Sequence, residues 1–328
     1  MNRRREIKAI TDVNYGELIG AKRYSRAAAG FGKIISAINF CRLSHGVDLI
    51  ITSQGARSVT GLVLLSLYLA LTKQKKLILV EFLPGRRGRL VSALYRWALP
   101  RAVLRAQIMT AWEKIEYSRA YGFASDQLVH IPFYYFDDRI LSSPARRPAP
   151  KRPLIMSSGR NSCDWGTLLH AAEGQNWNLV IISKDDEVER WKPLADSVGA
   201  RMVGTVPRAE HDQLMDDAAV FVLSLKQTDK SAGHIRLMSS ATFGVPVIAT
   251  RSRGIEGYEH LATQLVPVGD VEAMRARLNE AISDLDAFQA QQERVRTEAE
   301  KRPFSLYAEE LKNMFAGALK VKADNAYE

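Results

Sequence analysis

The feature that most constrains the fold is a series of short, continuously apolar segments, each followed by a helical pattern. In the second half of the chain these segments are PLIMSSG from Pro153, WNLVIIS from Trp177, AVFVLSL from Ala219 and VPVIATR from Val245. Strands that are apolar on both faces are typical of a parallel sheet covered by helices on both sides. We therefore expect a doubly wound α/β domain that binds its ligand beyond the carboxyl ends of the strands.

The same alternation occurs, less regularly, in the first half of the chain. Residues 47–52 and 76–85 have the composition of buried strands, and the segment SSPARRPAPKRP, residues 142–153, is rich in proline and arginine. The sequence predicts four parts, namely a Rossmann-like domain over 1–143, a proline-rich linker over 144–153, a second Rossmann-like domain over 154–303 and a helix over 304–328. Two such domains would place a ligand between the carboxyl ends of their sheets.

Composition excludes several classes of protein. The hydrophobic share of 46% and charged share of 25% are those of a globular chain. The basic N-terminus is not followed by an apolar region, and the longest apolar run, 61–72, is shorter than the roughly 20 residues of a membrane span. We expect a cytoplasmic protein. The only cysteines, Cys41 and Cys163, lie far apart, which argues against a disulfide framework or a zinc site.

The positive charge is concentrated in the first half of the chain. Residues 1–150 contain 24 Lys and Arg against 10 Asp and Glu, whereas residues 151–328 contain 22 against 26. Six arginines and no acidic residue lie between Phe82 and Trp112. This distribution favours contact with an anionic partner, although a solvated basic face has the same composition.

Within the basic segment, residues 85–105, helical spacing separates Leu90, Leu94, Trp97 and Ala98. The pattern is typical of an interfacial helix on an anionic membrane, and equally of an amphipathic helix packed on its own sheet. Nucleic acid is a less favoured partner because few aromatic residues are available to stack on bases.

The segment KSAGHIRLMSSATFGVPVIAT, residues 230–250, contains the most informative motif. Ser231, Ala232 and Gly233 open a predicted helix, and Gly244 ends it before the next strand. Small residues at a helix start allow close approach of the backbone, and the exposed N–H groups favour an anion. The motif predicts a phosphate-binding loop.

The order and spacing of the segments over residues 154–283 resemble the C-terminal, donor-binding domain of GT-B glycosyltransferases, most closely family 4. The resemblance rests on SSGR, CDWGTLLHAA, VGTVP, LMDDAAVFVLSL, SAGHIRLMSSATFGVPVIATRSRGIEGY and LVPVGDVEAMRARL. It implies two Rossmann-like domains that face each other across a cleft. It also implies a nucleotide-diphosphate sugar as donor, a retaining reaction without cofactor, and a C-terminal helix that crosses back to the first domain. The first half resembles the acceptor domain in architecture only.

Carried onto this chain, the family motifs predict the donor-binding residues Gly159, Arg160, Gly204, Lys230, Ser231, Ala232, Gly233, His234, Ser239 and Glu256. Two glutamates of the family pattern are replaced here by Ser231 and Ser239, so the chain resembles a divergent branch. Serine can donate a hydrogen bond but offers no carboxylate to a ribose, a role that Glu256 could take.

A lysine expected shortly after Gly159-Arg160 is also absent, because Asp164 and Trp165 occupy that region. Arg160 is therefore the leading candidate to neutralise the diphosphate, and Lys226, Lys230 and Arg236 are possible replacements for the lysine.

On the acceptor side, Glu81 follows a predicted strand, where its carboxylate could act as general base or bind the acceptor hydroxyl. The alternative is an ion pair with a nearby arginine. Gln54 and Gly55 end the preceding strand and are predicted to line the same site. Arg160 and Glu81 are thus the predicted catalytic residues, with no metal site because the carboxylates do not cluster.

The predicted function is sugar transfer to a lipid-linked or saccharide acceptor in cell-envelope polysaccharide or glycolipid synthesis, either in the cytoplasm or on the inner face of the membrane. Another GT-B-like enzyme, such as a sugar-nucleotide epimerase, is one alternative, and two alternatives of other classes remain. One is a binding protein that shares the fold without catalysis, which the missing glutamates would explain. The other is a basic nucleic-acid-binding protein.

Overall fold

The computed structural model of the chain describes residues 8–24, 31–85, 87–140 and 153–324. The chain divides into two compact units, unit 1 being residues 1–132 with 307–328 and unit 2 being residues 133–306. Each unit has one six-stranded sheet in which every strand pair is parallel. The predicted doubly wound α/β class is confirmed.

Unit 1 contains the sheet β2-β1-β3-β4-β5-β6. Its strands are β1 (Ala9–Thr11), β2 (Lys22–Arg23), β3 (Leu49–Thr52), β4 (Leu77–Leu79), β5 (Val103–Ile108) and β6 (Leu128–His130). Its helices are α1 (Phe31–Leu43), α2 (Gln54–Leu71), α3 (Arg89–Ala102) and α4 (Ala111–Tyr121), together with α11 (Phe304–Asp324) from Tyr307 onward. The core packs the apolar strands β3 and β4 against Tyr95 and Leu99 of α3.

Unit 2 contains the sheet β12-β11-β10-β7-β8-β9. Its strands are β7 (Leu154–Ser158), β8 (Asn178–Ile182), β9 (Arg201–Val203), β10 (Val220–Leu223), β11 (Val247–Thr250) and β12 (Gln264–Val266). Its helices are α5 (Trp165–Ala172), α6 (Asp185–Ser197), α7 (Arg208–Asp217), α8 (His234–Phe243), α9 (Val271–Ser283) and α10 (Leu285–Ala299). The strand order reverses between β7 and β10, and parallel sheets bind ligands beyond the strand ends at such a reversal.

The boundary between the units differs from the predicted one at residue 143. The segment that follows Pro132 belongs to unit 2 because its backbone is bonded there. Phe133 N donates to the hydroxyl of Tyr258 at 2.7 Å, and Asp137 N donates to Thr242 Oγ1 at 3.0 Å. The predicted linker, residues 144–153, lies outside the described residues apart from Pro153.

The basic segment forms a helix, α3, whose apolar residues point in two directions. Leu90 is 75% exposed and Trp97 is 41% exposed, whereas Ala98, predicted on the same face, is fully buried. The reason is that Tyr95 and its helical neighbours form the face packed on the core. Among the described residues, no helix is both long enough and apolar enough to cross a membrane.

Candidate functional site

The turn after β7 forms one side of the candidate site. Gly159 N donates to Ile182 O at 3.0 Å, and a Cβ atom on Gly159 would require the Cys163 side chain to shift. Asp164 caps α5 by accepting from Thr167 N at 3.3 Å, and the buried Trp165 donates from Nε1 to Ser183 Oγ at 3.0 Å. Asp164 and Trp165 thus have structural roles, where the family resemblance expects a lysine.

The small-residue loop before α8 lies against the end of β10 and the turn at residue 254. Ala232 N donates to Gly254 O at 2.9 Å. Gly233 has φ +88°, and a Cβ atom there would lie 2.8 Å from Leu223 Cδ2 and 3.2 Å from Ile255 Cγ2. Both the backbone conformation and the available space therefore require glycine at the start of α8. The first N–H groups of a helix have no partner within the helix and can bind an anion.

The imidazole of His234 points away from the open side of this helix start. It stacks on the ring of Tyr258 with centroids 3.7 Å apart, and its Nε2 donates to Gly254 O at 3.0 Å. Burial lowers the pKa of His234 to about 3, so the ring is neutral. The ring is therefore held by contacts within the fold, and a contact of His234 with a donor through its backbone N–H stays a prediction. Ser231 is likewise buried.

A cavity of about 320 Å³ opens beside these elements. The cavity is lined by the turn after β7, the end of β8, the loop after β9 and the helices α7 and α8. The lining residues of these elements, in chain order, are Gly159, Arg160, Ile182, Ser183, Thr205, Val206, Arg208, His211, Asp212, Ile235, Arg236, Met238, Ser239 and Phe243. Tyr134, Asp137, Arg139 and Ile140 complete the lining. One part of the wall is apolar and another carries arginines, which is the combination that a nucleotide requires.

The predicted donor-binding residues are distributed unevenly around this cavity. Gly159, Arg160 and Ser239 line it. Gly204 directly precedes the lining residue Thr205. A Cβ atom on Gly204 would overlap with Asp185 Oδ1. Lys230, Ala232 and Gly233 belong to the loop that precedes α8, and the exposed Glu256 lies 3.9 Å from Arg253 Nε.

Sequence reasoning did not predict the apolar lining of the cavity. Val206, Ile235, Met238 and Phe243 form much of this wall. The only available signal was the spacing of residues 235, 238, 239 and 243, which places them on one side of α8.

Two polar groups of the cavity, Arg160 and His211, have partners within the fold, and the contact of Arg160 is the weaker. The Nη2 of Arg160 lies 3.5 Å from Thr205 Oγ1, at the limit of a hydrogen bond. The Nε2 of His211 lies 3.0 Å from Ser158 Oγ, and burial lowers the pKa of His211 to about 4, which keeps it neutral near pH 7. In the described parts of the chain, no group of three or more His, Cys, Asp or Glu side chains could hold a metal ion.

In unit 1, Glu81 lies two residues beyond β4 in a left-handed conformation with φ +49°. Its backbone N donates to Gln107 Oε1 at 2.7 Å, and its Oε1 accepts from the hydroxyl of Tyr15 at 3.0 Å. A non-glycine residue in this conformation is strained, and such strain is concentrated at functional sites. Gln54 and Gly55 begin α2, but their side chains lie outside the described residues.

Comparison with known proteins assigns the fold. Residues 164–284 match the family model of glycosyl transferases group 1. A search of curated proteins found no match. HepE from Anabaena, solved with UDP and glucose, superposes with a TM-score of 0.72 at 12% identity, covering 95% of this chain and 100% of that chain.

Two further structures superpose over most of their length. Sucrose-phosphate synthase from Thermosynechococcus elongatus has a TM-score of 0.70 at 16% identity, covering 92% of this chain and 84% of that one. A glycosyltransferase from Rickettsia africae has a TM-score of 0.66 at 13% identity, covering 96% and 91%. At these identities the likeness establishes the fold, which is the predicted GT-B architecture of two Rossmann-like units.

Proposed function

We propose that this chain, whose residues 164–284 match the family model of glycosyl transferases group 1, transfers a sugar from a nucleoside diphosphate sugar to an acceptor hydroxyl. The observation that carries this proposal is the cavity of unit 2. It lies beside the strand reversal, and it combines an apolar wall with arginines and the first turn of α8.

The lining suggests how a donor is bound. The base contacts the apolar part of the wall, formed by Val206, Ile235 and Met238, and the diphosphate lies toward Arg160 and the start of α8. Ser239 replaces the carboxylate of the family and donates a hydrogen bond to the ribose. HepE, which shares the fold, was solved with UDP and with UDP-glucose. A uridine nucleotide is therefore the first donor to test.

The chemistry requires stabilisation of the leaving diphosphate. Negative charge grows on it as the glycosidic bond breaks, and preorganised positive groups lower the barrier most where this charge develops. Arg160 and the N–H groups at the start of α8 meet this requirement without a divalent cation, so the proposed reaction is metal-independent. Retention of the anomeric configuration is proposed from the family resemblance.

For the acceptor, we propose that Glu81 binds or deprotonates the attacking hydroxyl. The hydrogen bond from Tyr15 and the anchoring of its backbone by Gln107 fix the position of the carboxylate. A fixed carboxylate at the carboxyl end of a parallel strand is well placed for this role.

The surface of unit 1 supports a membrane-associated acceptor. Leu90 and Trp97 are exposed on α3 together with Arg89, Arg96 and Arg101, and no acidic residue interrupts the helix. An exposed apolar stripe bordered by arginines is typical of a helix in an anionic membrane interface. We propose peripheral binding to the cytoplasmic face of a membrane, where the acceptor is a lipid-linked or saccharide precursor of the cell envelope.

The donor proposal is tested by thermal denaturation with UDP, GDP, ADP and their sugars, with EDTA or with Mg²⁺. A specific ligand raises the unfolding midpoint by mass action. We expect one nucleotide series to do so in EDTA, and the shift to disappear in Arg160→Ala. Arg277→Ala, which alters an exposed arginine of α9 that pairs with Glu280, is the matched control. Absence of a shift with every nucleotide would contradict the proposal.

A further inference from the structure

Arg236 carries a positive charge to which no carboxylate binds directly in the described parts of the chain. Within the described ranges, its side chain has no ion pair or hydrogen bond, although it lines the cavity of unit 2. The two carboxylates of that cavity are occupied, since Asp137 binds Arg139 at 2.7 Å and Asp212 binds Arg208 at 3.2 Å.

The nearby Cys163 does not supply the missing charge. Burial raises the pKa of its thiol to about 11, so the sulfur is protonated near pH 7. Arg160 adds a second positive charge to the same cavity, and its Nη2 is 3.5 Å from a neutral acceptor, Thr205 Oγ1. The cavity therefore holds two guanidinium groups without a carboxylate bound to either.

The surroundings of Arg236 disfavour a cation in the absence of a ligand. Burial lowers the pKa of Arg236, and the charge of Arg160 adds to this shift, while the charge of Asp212 opposes it. Arg236 is also the third residue of α8, near the positive end of the helix dipole, where cations are unfavourable. Each of these costs is relieved when an anion binds between the two arginines.

We infer that Arg236 binds the diphosphate of the donor together with Arg160 and replaces the lysine that the family pattern places after Gly159-Arg160. The inference rests on the proposed function, because it assigns a residue to the same donor site. With the diphosphate-binding cation supplied by Arg236 from α8, no lysine is needed at the start of α5. Asp164 can then cap that helix, and Trp165 can pack beneath it and donate to Ser183. The charge of the arginine pair is comparable to that of a diphosphate diester.

The test compares Arg236→Gln, Arg236→Lys and the wild type in calorimetric titrations with UDP, UMP and uridine, or with the GDP or ADP series if that binds more tightly. Loss of charge-assisted hydrogen bonds should weaken diphosphate binding roughly 10- to 100-fold in Arg236→Gln. We expect a smaller effect on the monophosphate, none on the nucleoside, and partial recovery in Arg236→Lys. The control is Arg277→Ala, which alters an exposed arginine of α9 that pairs with Glu280 and lies outside the cavity.

Thermal denaturation without ligand gives a second readout. If Arg236 had only a structural role, Arg236→Gln would lower the unfolding midpoint, whereas removal of an uncompensated charge should leave it unchanged or raise it. Unchanged diphosphate affinity in Arg236→Gln, or an equal loss of affinity for uridine and UDP, would overturn the role of Arg236 but leave the proposed function standing. A wild-type protein that binds no nucleoside diphosphate would overturn the proposed function as well.

Discussion

Replacement of Gly233 by alanine should destabilise unit 2 for two reasons that can be separated. The first is conformational, because φ is +88° and a left-handed residue with a Cβ atom costs about 1–2 kcal/mol. The second is steric, because the new atom would lie 2.8 Å from Leu223 Cδ2 and 3.2 Å from both Ile255 Cγ2 and Leu225 Cδ1. Overpacking of this kind costs roughly 1–3 kcal/mol. The total is about 2–5 kcal/mol.

Gly257 provides a matched control for this substitution. It has φ +90°, but no atom lies within 4 Å of a Cβ atom placed on it, so Gly257→Ala carries the conformational cost alone. For a unit of this size, each kcal/mol lowers the unfolding midpoint by about 2–4 °C. Differential scanning calorimetry should therefore show a decrease of roughly 5–20 °C for Gly233→Ala and a clearly smaller one for Gly257→Ala.

The nucleotide affinity of Gly233→Ala should fall as well, because the strain displaces the start of α8. Equal midpoints for the two alanine variants would refute the steric part of the reasoning. A midpoint for Gly233→Ala equal to that of the wild type would refute both parts.

Three further predictions follow from other parts of the structure. Stability of unit 2 should fall as the pH decreases from 6.5 toward 4, because buried His211 and His234 have lowered pKa values and the unfolded chain binds more protons there. His211 alone accounts for about 3 kcal/mol, so His211→Gln should flatten the pH dependence measured by urea denaturation. Glu81→Gln should reduce turnover roughly 100-fold or more without changing nucleotide affinity in calorimetry, because it removes only the acceptor-side carboxylate. Changing both Leu90 and Trp97 to serine should weaken binding to phosphatidylglycerol vesicles roughly tenfold or more in a sedimentation assay, since two exposed apolar groups are lost.

Each of these predictions has a control and a contradicting result. If the free energy of unfolding of His211→Gln depended on pH as that of the wild type does, His211 would not be buried in its neutral form. Tyr15→Phe, which removes the hydrogen bond to Glu81, should reduce turnover less than Glu81→Gln does. Full activity of Glu81→Gln would exclude a role of the Glu81 carboxylate in the reaction. Leu71→Ser changes an exposed leucine at the end of α2 and should leave vesicle binding unaltered.

The sequence was sufficient to predict the strands and helices of unit 2 because local patterns determine them. The strands β7, β8, β10 and β11 are apolar on both faces, and the glycines at 233 and 244 mark the start and end of α8. The GT-B architecture was implied by the resemblance of these segments to the donor-binding domain of that family.

Features that depend on contacts distant in sequence were not predictable in this way. His234 lies at a helix start, as a ligand-binding residue would, but its ring packs on Tyr258 and its Nε2 donates to Gly254. The division after residue 132 depends on pairs such as the bond from Asp137 N to Thr242 Oγ1, which connects distant parts of the chain. No local pattern reveals such pairs.

We propose above that a nucleoside diphosphate binds at the strand reversal of unit 2. Hydrogen–deuterium exchange with a saturating nucleoside diphosphate tests it most directly, because protection reports which backbone segments become ordered. We expect slower exchange in residues 159–164, 204–208 and 231–239, with the protection of 231–239 reduced in Arg160→Ala. Protection confined to other segments, or no protection at any nucleotide concentration, would contradict it.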